Sequence, residues 1–122
     1  MSKRRPLVYI SGPISSSGNL FKNLHTGILL WRDLVRRGYA PVCPHMNDLG
    51  YIVTGDPVSW EDALECDEEI LLRCDAVYRI AGYSRGAKRE CALAAKNGIP
   101  VARSVSQLRR MTHAKRQVPP GR

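Results

Sequence analysis

Short apolar segments alternate along this chain with longer segments that carry the periodicity of amphipathic helices. The apolar segments are Leu7–Ile10, Ala40–Cys43, Asp75–Tyr78 and Ile99–Ala102. In the first helical segment, apolar residues recur at spacings of three and four from Leu20 to Val35. Strands that alternate with helices pair in parallel and are covered on both faces. We therefore predict an α/β fold of the flavodoxin-like or Rossmann-like kind, a three-layer sandwich with a parallel sheet of four or five strands.

The length of the chain sets the number of domains. With 122 residues it can form one domain that buries about two thirds of its unfolded surface. We assign residues 1–112 to this domain and predict a disordered basic tail over residues 113–122.

The segment from His45 to Ser59 is long for a connection in a compact domain, so we predict a functional or mobile loop there. It follows a strand and therefore lies on the side of the sheet where ligands bind. If the ligand is a nucleotide, His45, Met46 or Tyr51 could cover its base from this position. A lone histidine in such a loop is more often simply exposed. Ser59 has the sequence context of a helix N-cap.

The turn from Ser84 to Glu90, between the third strand and its helix, gives the clearest indication of function. Ser84 is a good N-cap, and Gly86 allows a ligand to approach the backbone. The N–H groups and dipole of a helix start attract anions, so we predict an anionic ligand. Glu90 lies just over one turn further on, where its carboxylate can face the sugar of a nucleotide whose phosphate sits on the cap. Spacing alone leaves an ordinary solvated glutamate equally open.

The segment after the first strand consists mostly of small residues. It reads Ser11-Gly12-Pro13-Ile14-Ser15-Ser16-Ser17-Gly18-Asn19, and Gly18 or Asn19 caps the helix that follows. Loops of this composition bring backbone N–H groups and hydroxyls to phosphate or sugar oxygens. The segment contains neither G-x-G-x-x-G nor a terminal G-K-[ST], so it is not a Rossmann or Walker loop. A flexible linker stays open as an alternative.

The formal net charge of +8 is unevenly distributed along the chain. Ten of the nineteen basic residues lie before Pro6 or after Glu90, where there is no acidic residue. Between these positions nine basic residues face eleven acidic ones, so the body of the fold is slightly acidic. Terminal basic segments are usually solvated, although they can bind polyanions weakly and in a salt-dependent way. This distribution argues against nucleic-acid binding as the main function.

The four cysteines show no C-x-x-C pair and no histidine at zinc-ligand spacing, although Cys43-Pro44-His45 comes nearest. We expect no metal and no cofactor. The sequence carries no signal peptide and no apolar run long enough to span a bilayer. We therefore expect a cytoplasmic protein without membrane contact, whose thiols are reduced and buried.

Three groups of residues together resemble the nucleoside 2-deoxyribosyltransferase superfamily. They are Tyr9-Ile10-Ser11-Gly12-Pro13-Ile14 at the first strand, Asp67 eight residues before Asp75, and Ser84-x-Gly86-x-x-x-Glu90. The chain is most similar to the small, often phage-encoded members and to the 2'-deoxynucleoside 5'-phosphate N-hydrolases. The resemblance covers roughly Leu7 to Val101.

The resemblance implies a role for each of these residues. Glu90 matches the nucleophile that attacks C1' of the deoxyribose, Asp67 matches an acid that assists at the base, and Tyr9 matches a tyrosine that orients the glutamate. Ser84 and Gly86, with the Ser11-Gly12 loop, match phosphate or sugar-binding positions. The remaining expected substrate-binding residues are Ser11, Gly12, Pro13, Ile14, Asn19 and His45. Relatives that act on nucleosides commonly have Asp where this chain has Ser84, and a hydroxyl suits a 5'-phosphate better than a carboxylate does.

The implied activity is cleavage of the N-glycosidic bond of a (deoxy)nucleoside 5'-monophosphate. Water as the acceptor makes the protein a hydrolase, and a second base makes it a transferase. A nucleotide-binding module without turnover is a third reading. Lys88 and Arg89 make the turn beside Glu90 unusually basic, and they could hold Glu90 ionised, add phosphate contacts or indicate a loss of catalysis. Many relatives build their sites across a dimer, so a homodimer is expected. The identity of the base is not readable from the sequence.

Overall fold

The computed structural model describes residues 4–14, 18–47, 50, 53–56 and 58–116, and only the backbone of residues 114–116. In chain order its elements are β1 Leu7–Ser11, α1 Leu20–Arg36, β2 Ala40–Val42, a 3-10 helix Pro44–Asn47, α2 Trp60–Leu71, β3 Ala76–Arg79, α3 Arg85–Lys96, β4 Val101–Ala102 and α4 Val105–Arg116. The four strands pair in parallel in the order β2-β1-β3-β4. The predicted fold class is therefore confirmed, with a sheet of four strands.

Each face of the sheet carries a hydrophobic cluster of its own. Val8 and Ile10 of β1 pack with Leu34 of α1 and Leu108 of α4. Tyr9, which points the other way because side chains alternate along a strand, packs with residues of α2 and α3. The sheet is thus covered by α1 and α4 on one face and by α2 and α3 on the other.

The strand order also defines where a ligand can enter. The chain passes from β1 to β2 on one side and then to β3 on the other side of β1. The connections therefore diverge between β1 and β3, and in open parallel sheets ligands bind in the crevice at the carboxyl ends of the strands at such a point. The segments that follow Ser11 and Arg79 border this crevice, because these two residues are partners in the β1–β3 register.

Local capping follows the sequence at two of the three predicted helix starts. The Ser59 hydroxyl accepts the Asp62 N–H at 3.0 Å, and the Ser84 hydroxyl accepts the Ala87 N–H at 3.1 Å. Asn19 occupies the N-cap position of α1, but its side chain makes no capping hydrogen bond. Its carbonyl begins the helix by accepting the Asn23 N–H at 2.9 Å.

Three expectations need correction. Helix α4 continues to Arg116, so the predicted tail is wrong for residues 113–116, and residues 117–122 lie outside the described part of the chain. The predicted loop after β2 begins instead with the 3-10 helix Pro44–Asn47. All four cysteines are free, but Cys66 is exposed and Cys91 is only partly buried, so buried thiols are confirmed for Cys43 and Cys74 alone.

Within the described residues, no helix has the length and apolar character needed to cross a membrane.

Candidate active site

Glu90 is a buried carboxylate that is held by two hydroxyl groups of β1. Its exposed fraction is only 7%. The Tyr9 hydroxyl donates to Oε2 at 2.5 Å, and the Ser11 hydroxyl donates to Oε1 at 2.7 Å. The alternative reading of Glu90 as an ordinary solvated helix residue is therefore wrong. Both carboxylate oxygens act as acceptors in this arrangement, which is the pattern of an ionised glutamate.

The fold brings these three side chains together through two simple periodicities. Tyr9 and Ser11 are two residues apart in β1, so both point to the face covered by α2 and α3. On α3, the buried positions Ala87, Glu90 and Ala94 are spaced by three and four and face the sheet. Helix α3 follows β3, the neighbour of β1, so its buried face lies over the carboxyl half of β1. The site therefore lies at the switch point between β1 and β3.

The electrostatics of the site are dominated by burial. Desolvation raises the pKa of Glu90 and the charge of Glu68 raises it too, whereas the hydrogen bonds from Tyr9 and Ser11 and the charge of Arg79 lower it. The pKa of Tyr9 is raised by burial first and then by the charges of Glu90 and Asp67. Tyr9 consequently stays protonated and remains a hydrogen-bond donor at every physiological pH.

Asp67 belongs to the same electrostatic environment. It lies on α2, is partly buried, and its charge contributes to the raised pKa of Tyr9. Helix α2 is tied to α3 by an ion pair between Glu68 and Arg89 at 2.8 Å. The structure therefore brings Asp67 into electrostatic range of the phenol that holds Glu90, as expected for a residue of the site.

Arg79 is a site residue that the sequence did not single out. It is the last residue of β3 and the register partner of Ser11, and it shares a face with Val77 of the α2–α3 cluster. Its guanidinium donates to the carbonyl of Ile80 and, at 2.8 Å, to that of Gly82. Its charge lowers the pKa of both Glu90 and Cys91. The available signal was a basic residue at the end of an otherwise apolar strand, on the ligand side of the sheet.

The start of α3 lies beside this carboxylate and is chemically suited to an anion. Ser84 uses its oxygen to accept the Ala87 N–H, so its hydroxyl proton can still be donated. The Lys88 N–H bonds the Ser84 carbonyl, and the N–H groups of Arg85 and Gly86 have no intrahelical acceptor, as in the first turn of any helix. A Cβ at Gly86 would meet, within the described residues, only Ser84 Oγ at 3.9 Å. Packing therefore does not require glycine here.

The Ser11–Ile14 segment makes close contacts with the described residues around it. A Cβ at Gly12 would lie 2.8 Å from Ile80 Cβ, so this glycine allows contact between the two segments at the switch point. Pro13 is buried, and the Ile14 carbonyl accepts the Asn23 side-chain amide at 2.8 Å. Asn19 is exposed. Ser15, Ser16 and Ser17 lie outside the described residues.

His45 has a different position from the one expected. Only 1% of it is exposed, and its Nε2 lies 2.9 Å from the Pro13 carbonyl oxygen. A carbonyl can only accept, so Nε2 carries the proton. Burial lowers the pKa of the ring. A Cβ at Gly27 of α1 would lie 2.7 Å from the His45 Cγ. His45 thus fixes the Pro13 segment against α1, and a direct contact with a ligand has no support in this geometry.

The other two residues of this loop that were expected to cover a ligand are Met46 and Tyr51. Met46 is partly buried and packs against the cluster on the α1–α4 face. Tyr51 lies outside the described residues. Over the described part of the chain, no three His, Cys, Asp or Glu side chains come together in a way that could hold a metal ion.

The raised pKa of Glu90 predicts how stability changes with pH. The folded state binds this proton more tightly than the unfolded state, so ionised Glu90 destabilises the fold as pH rises through the raised pKa. We expect Glu90→Gln to be more stable than the wild type at neutral pH. The difference should shrink as pH falls toward 4.5, the ordinary value for a glutamate. Chemical denaturation across this pH range measures the effect. A variant that is less stable than the wild type at neutral pH would contradict it. The exposed Glu65→Gln serves as the control, with no comparable effect.

Comparison with known proteins adds a family but no activity. The chain matches no curated protein. The model of a family described as "Domain of unknown function (DUF7768)" matches residues 6–104, which include all four strands, α1 to α3 and every residue of the site. The chain therefore belongs to the DUF7768 family.

Proposed function

We propose that this protein cleaves the N-glycosidic bond of a (deoxy)nucleoside 5'-monophosphate, with Glu90 as the nucleophile. The observation that supports this proposal is the buried Glu90 carboxylate, held by Tyr9 and Ser11 beside the start of α3. A carboxylate can act as the nucleophile of this reaction, and an anion site can hold the 5'-phosphate of the substrate.

The stability cost of Glu90 supports a functional role. Burial of a carboxylate is unfavourable, and the two donated hydrogen bonds offset this cost only in part, because the pKa is still raised. Two charged groups outside α3, Glu68 and Arg79, act on it as well. Groups that are perturbed in this way, at the ligand edge of a parallel sheet, are candidates for chemistry. A purely structural position would be served better by a neutral or apolar side chain.

In the first chemical step, a Glu90 oxygen attacks C1' of the sugar. A C1'–O bond forms, the C1'–N bond breaks, and the electron pair of the broken bond leaves with the base, which takes up a proton. Tyr9 and Ser11 hold the carboxylate in one rotamer, so the attacking oxygen is positioned before the substrate arrives. Asp67 is the residue of the site that we assign to protonation of the departing base.

In the second step, water attacks C1' of the glycosyl-enzyme. The C1'–O bond to Glu90 breaks, the Glu90 carboxylate is restored, and the water proton goes to the Asp67 carboxylate, which gave up its proton in the first step. The products are free base and sugar 5-phosphate. Tyr9 and Ser11 regain full-strength hydrogen bonds as the negative charge returns to Glu90, which favours this release.

The phosphate of the substrate is placed at the start of α3. The N–H groups of Arg85 and Gly86, the Ser84 hydroxyl and the helix dipole all favour an anion there. The Arg79 guanidinium adds a positive charge at the same edge of the sheet, where it acts on Glu90. We place the activity in the cytoplasm, where the four free cysteines stay reduced.

Product analysis tests the proposed reaction. The purified protein is incubated with ribo- and deoxynucleoside 5'-monophosphates, each with and without a second free base, and the products are separated by chromatography. We expect free base and sugar phosphate from at least one substrate. We expect Glu90→Ala to reduce turnover by about 10³-fold or more, because the covalent step is lost. Lys22→Ala, at an exposed position of α1, is the control and keeps full activity.

Two other outcomes of this experiment would replace the proposal. A new nucleotide that forms only when a second base is added would make the protein a transferase. Nucleotide binding without any product, and with the same affinity in Glu90→Gln, would make it a binding module without turnover. Full turnover in Glu90→Ala would remove the nucleophile assignment.

The assignment of the phosphate to α3 makes a separate prediction. Ser84→Ala is expected to raise KM for monophosphates about tenfold with little change in kcat, because it removes one charge-assisted hydrogen bond. Gly86→Ala is expected to raise KM as well, while it stabilises the helix by about 0.5 to 1 kcal/mol. KM for the corresponding nucleoside, which lacks the phosphate, should change little. An equal loss for nucleoside and monophosphate would contradict the assignment.

A further inference from the structure

A second cleft lies at the opposite edge of the sheet from Glu90, between α1 and α4. It has a volume of about 160 Å³, and Arg37, Tyr39, Arg109, Thr112 and His113 are among the residues that line it. Pro6 and Tyr39, which precede β1 and β2, are also part of its wall, so the cleft lies at the amino ends of the strands.

The fold brings the two basic ends of the chain together at this cleft. The Arg5 guanidinium donates to the carbonyls of Val35 at 2.8 Å and Tyr39 at 2.9 Å. The hydroxyls of Tyr39 and Thr112 are 3.2 Å apart, which ties α4 to the start of β2. Basic residues that are separate tails in the sequence therefore form one surface in the structure.

Charge on this surface is strongly of one sign. We define the basic surface as the cleft residues Arg37, Arg109 and His113 together with Arg5, whose guanidinium contacts the end of α1. Arg4, Arg36 and Arg110 are exposed sequence neighbours of these residues. The acidic residues that described contacts place beside it are Asp33, paired with Arg37 at 2.9 Å, and Asp75, which accepts the Leu7 N–H. Arg5 occupies carbonyls at the end of α1 that would otherwise repel an anion. A net positive surface remains.

We propose that the basic surface binds the phosphate backbone of a nucleic acid. A cleft of about 160 Å³ is smaller than the roughly 300 Å³ or more of ordinary small-molecule pockets, so it suits a single phosphate rather than a whole nucleotide. Arg37 and Arg109 line the cleft and Arg5 lies near it, which is more positive charge than a single phosphate requires, so we infer a ligand that carries several phosphates. Arginine is also the residue that binds phosphate oxygens in a bidentate way.

The aromatic residues indicate that this binding is independent of base sequence. Among the described residues, the aromatic side chains with large exposure are Phe21, Trp60 and Tyr83. All three lie at helix starts or in the segment before α3, which is the edge of the sheet that carries Glu90. The basic surface therefore offers charge but no stacking platform for bases. Its position also separates it from the candidate active site, so the proposal does not rest on the proposed function.

Fluorescence anisotropy with a short labelled duplex DNA, titrated at several salt concentrations, tests this proposal. We expect the wild type to bind with a log–log salt slope of about −4, as for about four neutralised phosphates. The double variant Arg37→Gln/Arg109→Gln should weaken binding about tenfold or more at low salt and reduce the slope by about two. Lys22→Gln, at the other end of α1, removes one charge outside the surface and should bind like the wild type.

Circular dichroism is the check that the double variant is folded, which we expect because Arg37 and Arg109 are exposed and the Arg37–Asp33 pair is a surface pair. The proposal is overturned if the wild type does not bind at low salt, or if the double variant and Lys22→Gln bind equally well. It is also overturned if an acidic peptide or inorganic phosphate displaces the DNA at matched charge concentration. In that case the surface is a general anion site.

Discussion

The contact on which the candidate site depends is the pair of hydrogen bonds from β1 to the Glu90 carboxylate. It joins the central strand of the sheet to the helix that follows its neighbour, and it does so in the protein interior. Without Tyr9 and Ser11, the buried charge would be left unpaired at a cost of several kcal/mol. The side of β1 that faces α3 and the buried face of α3 are therefore chemically complementary at this point, where two hydroxyl donors meet a carboxylate. Two other residues of the site act on this pair electrostatically. The charge of Asp67 acts on the Tyr9 phenol, and the charge of Arg79 acts on the Glu90 carboxylate.

The fold was predictable from the sequence because it depends on periodicity and capping. Short apolar runs gave the strands, and Ser59 and Ser84 cap their helices as expected. The burial of Glu90 could not be derived from spacing, since its sequence neighbours Arg89 and Cys91 fit a solvated or a buried position equally well. Its place in the turn made Glu90 a candidate, and only a resemblance to a family pattern favoured the functional reading. Only the tertiary packing of β1 on α3 distinguishes the two positions.

Arg79 and His45 illustrate opposite failures of sequence reasoning. Arg79 ends an apolar strand, and its importance appears only when β3 pairs with β1 and places it opposite Ser11. The sequence suggested that His45 is an exposed loop residue. It lies instead in a 3-10 helix, and its ring is buried against α1 at Gly27, where there is no side chain to exclude it. The end of α4 was missed because its basic composition resembles a tail, although Leu108 and Thr112 are buried against the sheet side of the helix. The composition of the two ends of the chain predicted their positive charge, but it did not predict that folding brings them together at one basic surface.

The central claim is that Glu90 forms a covalent bond to the sugar, and mass spectrometry of the rapidly denatured enzyme tests it most directly. The wild type, mixed with a monophosphate that it consumes and quenched with acid, should carry an added sugar phosphate on the peptide that contains Glu90. Glu90→Gln should carry no adduct on that peptide. An adduct on a different residue, or turnover that continues in Glu90→Gln at the wild-type rate, would contradict the account.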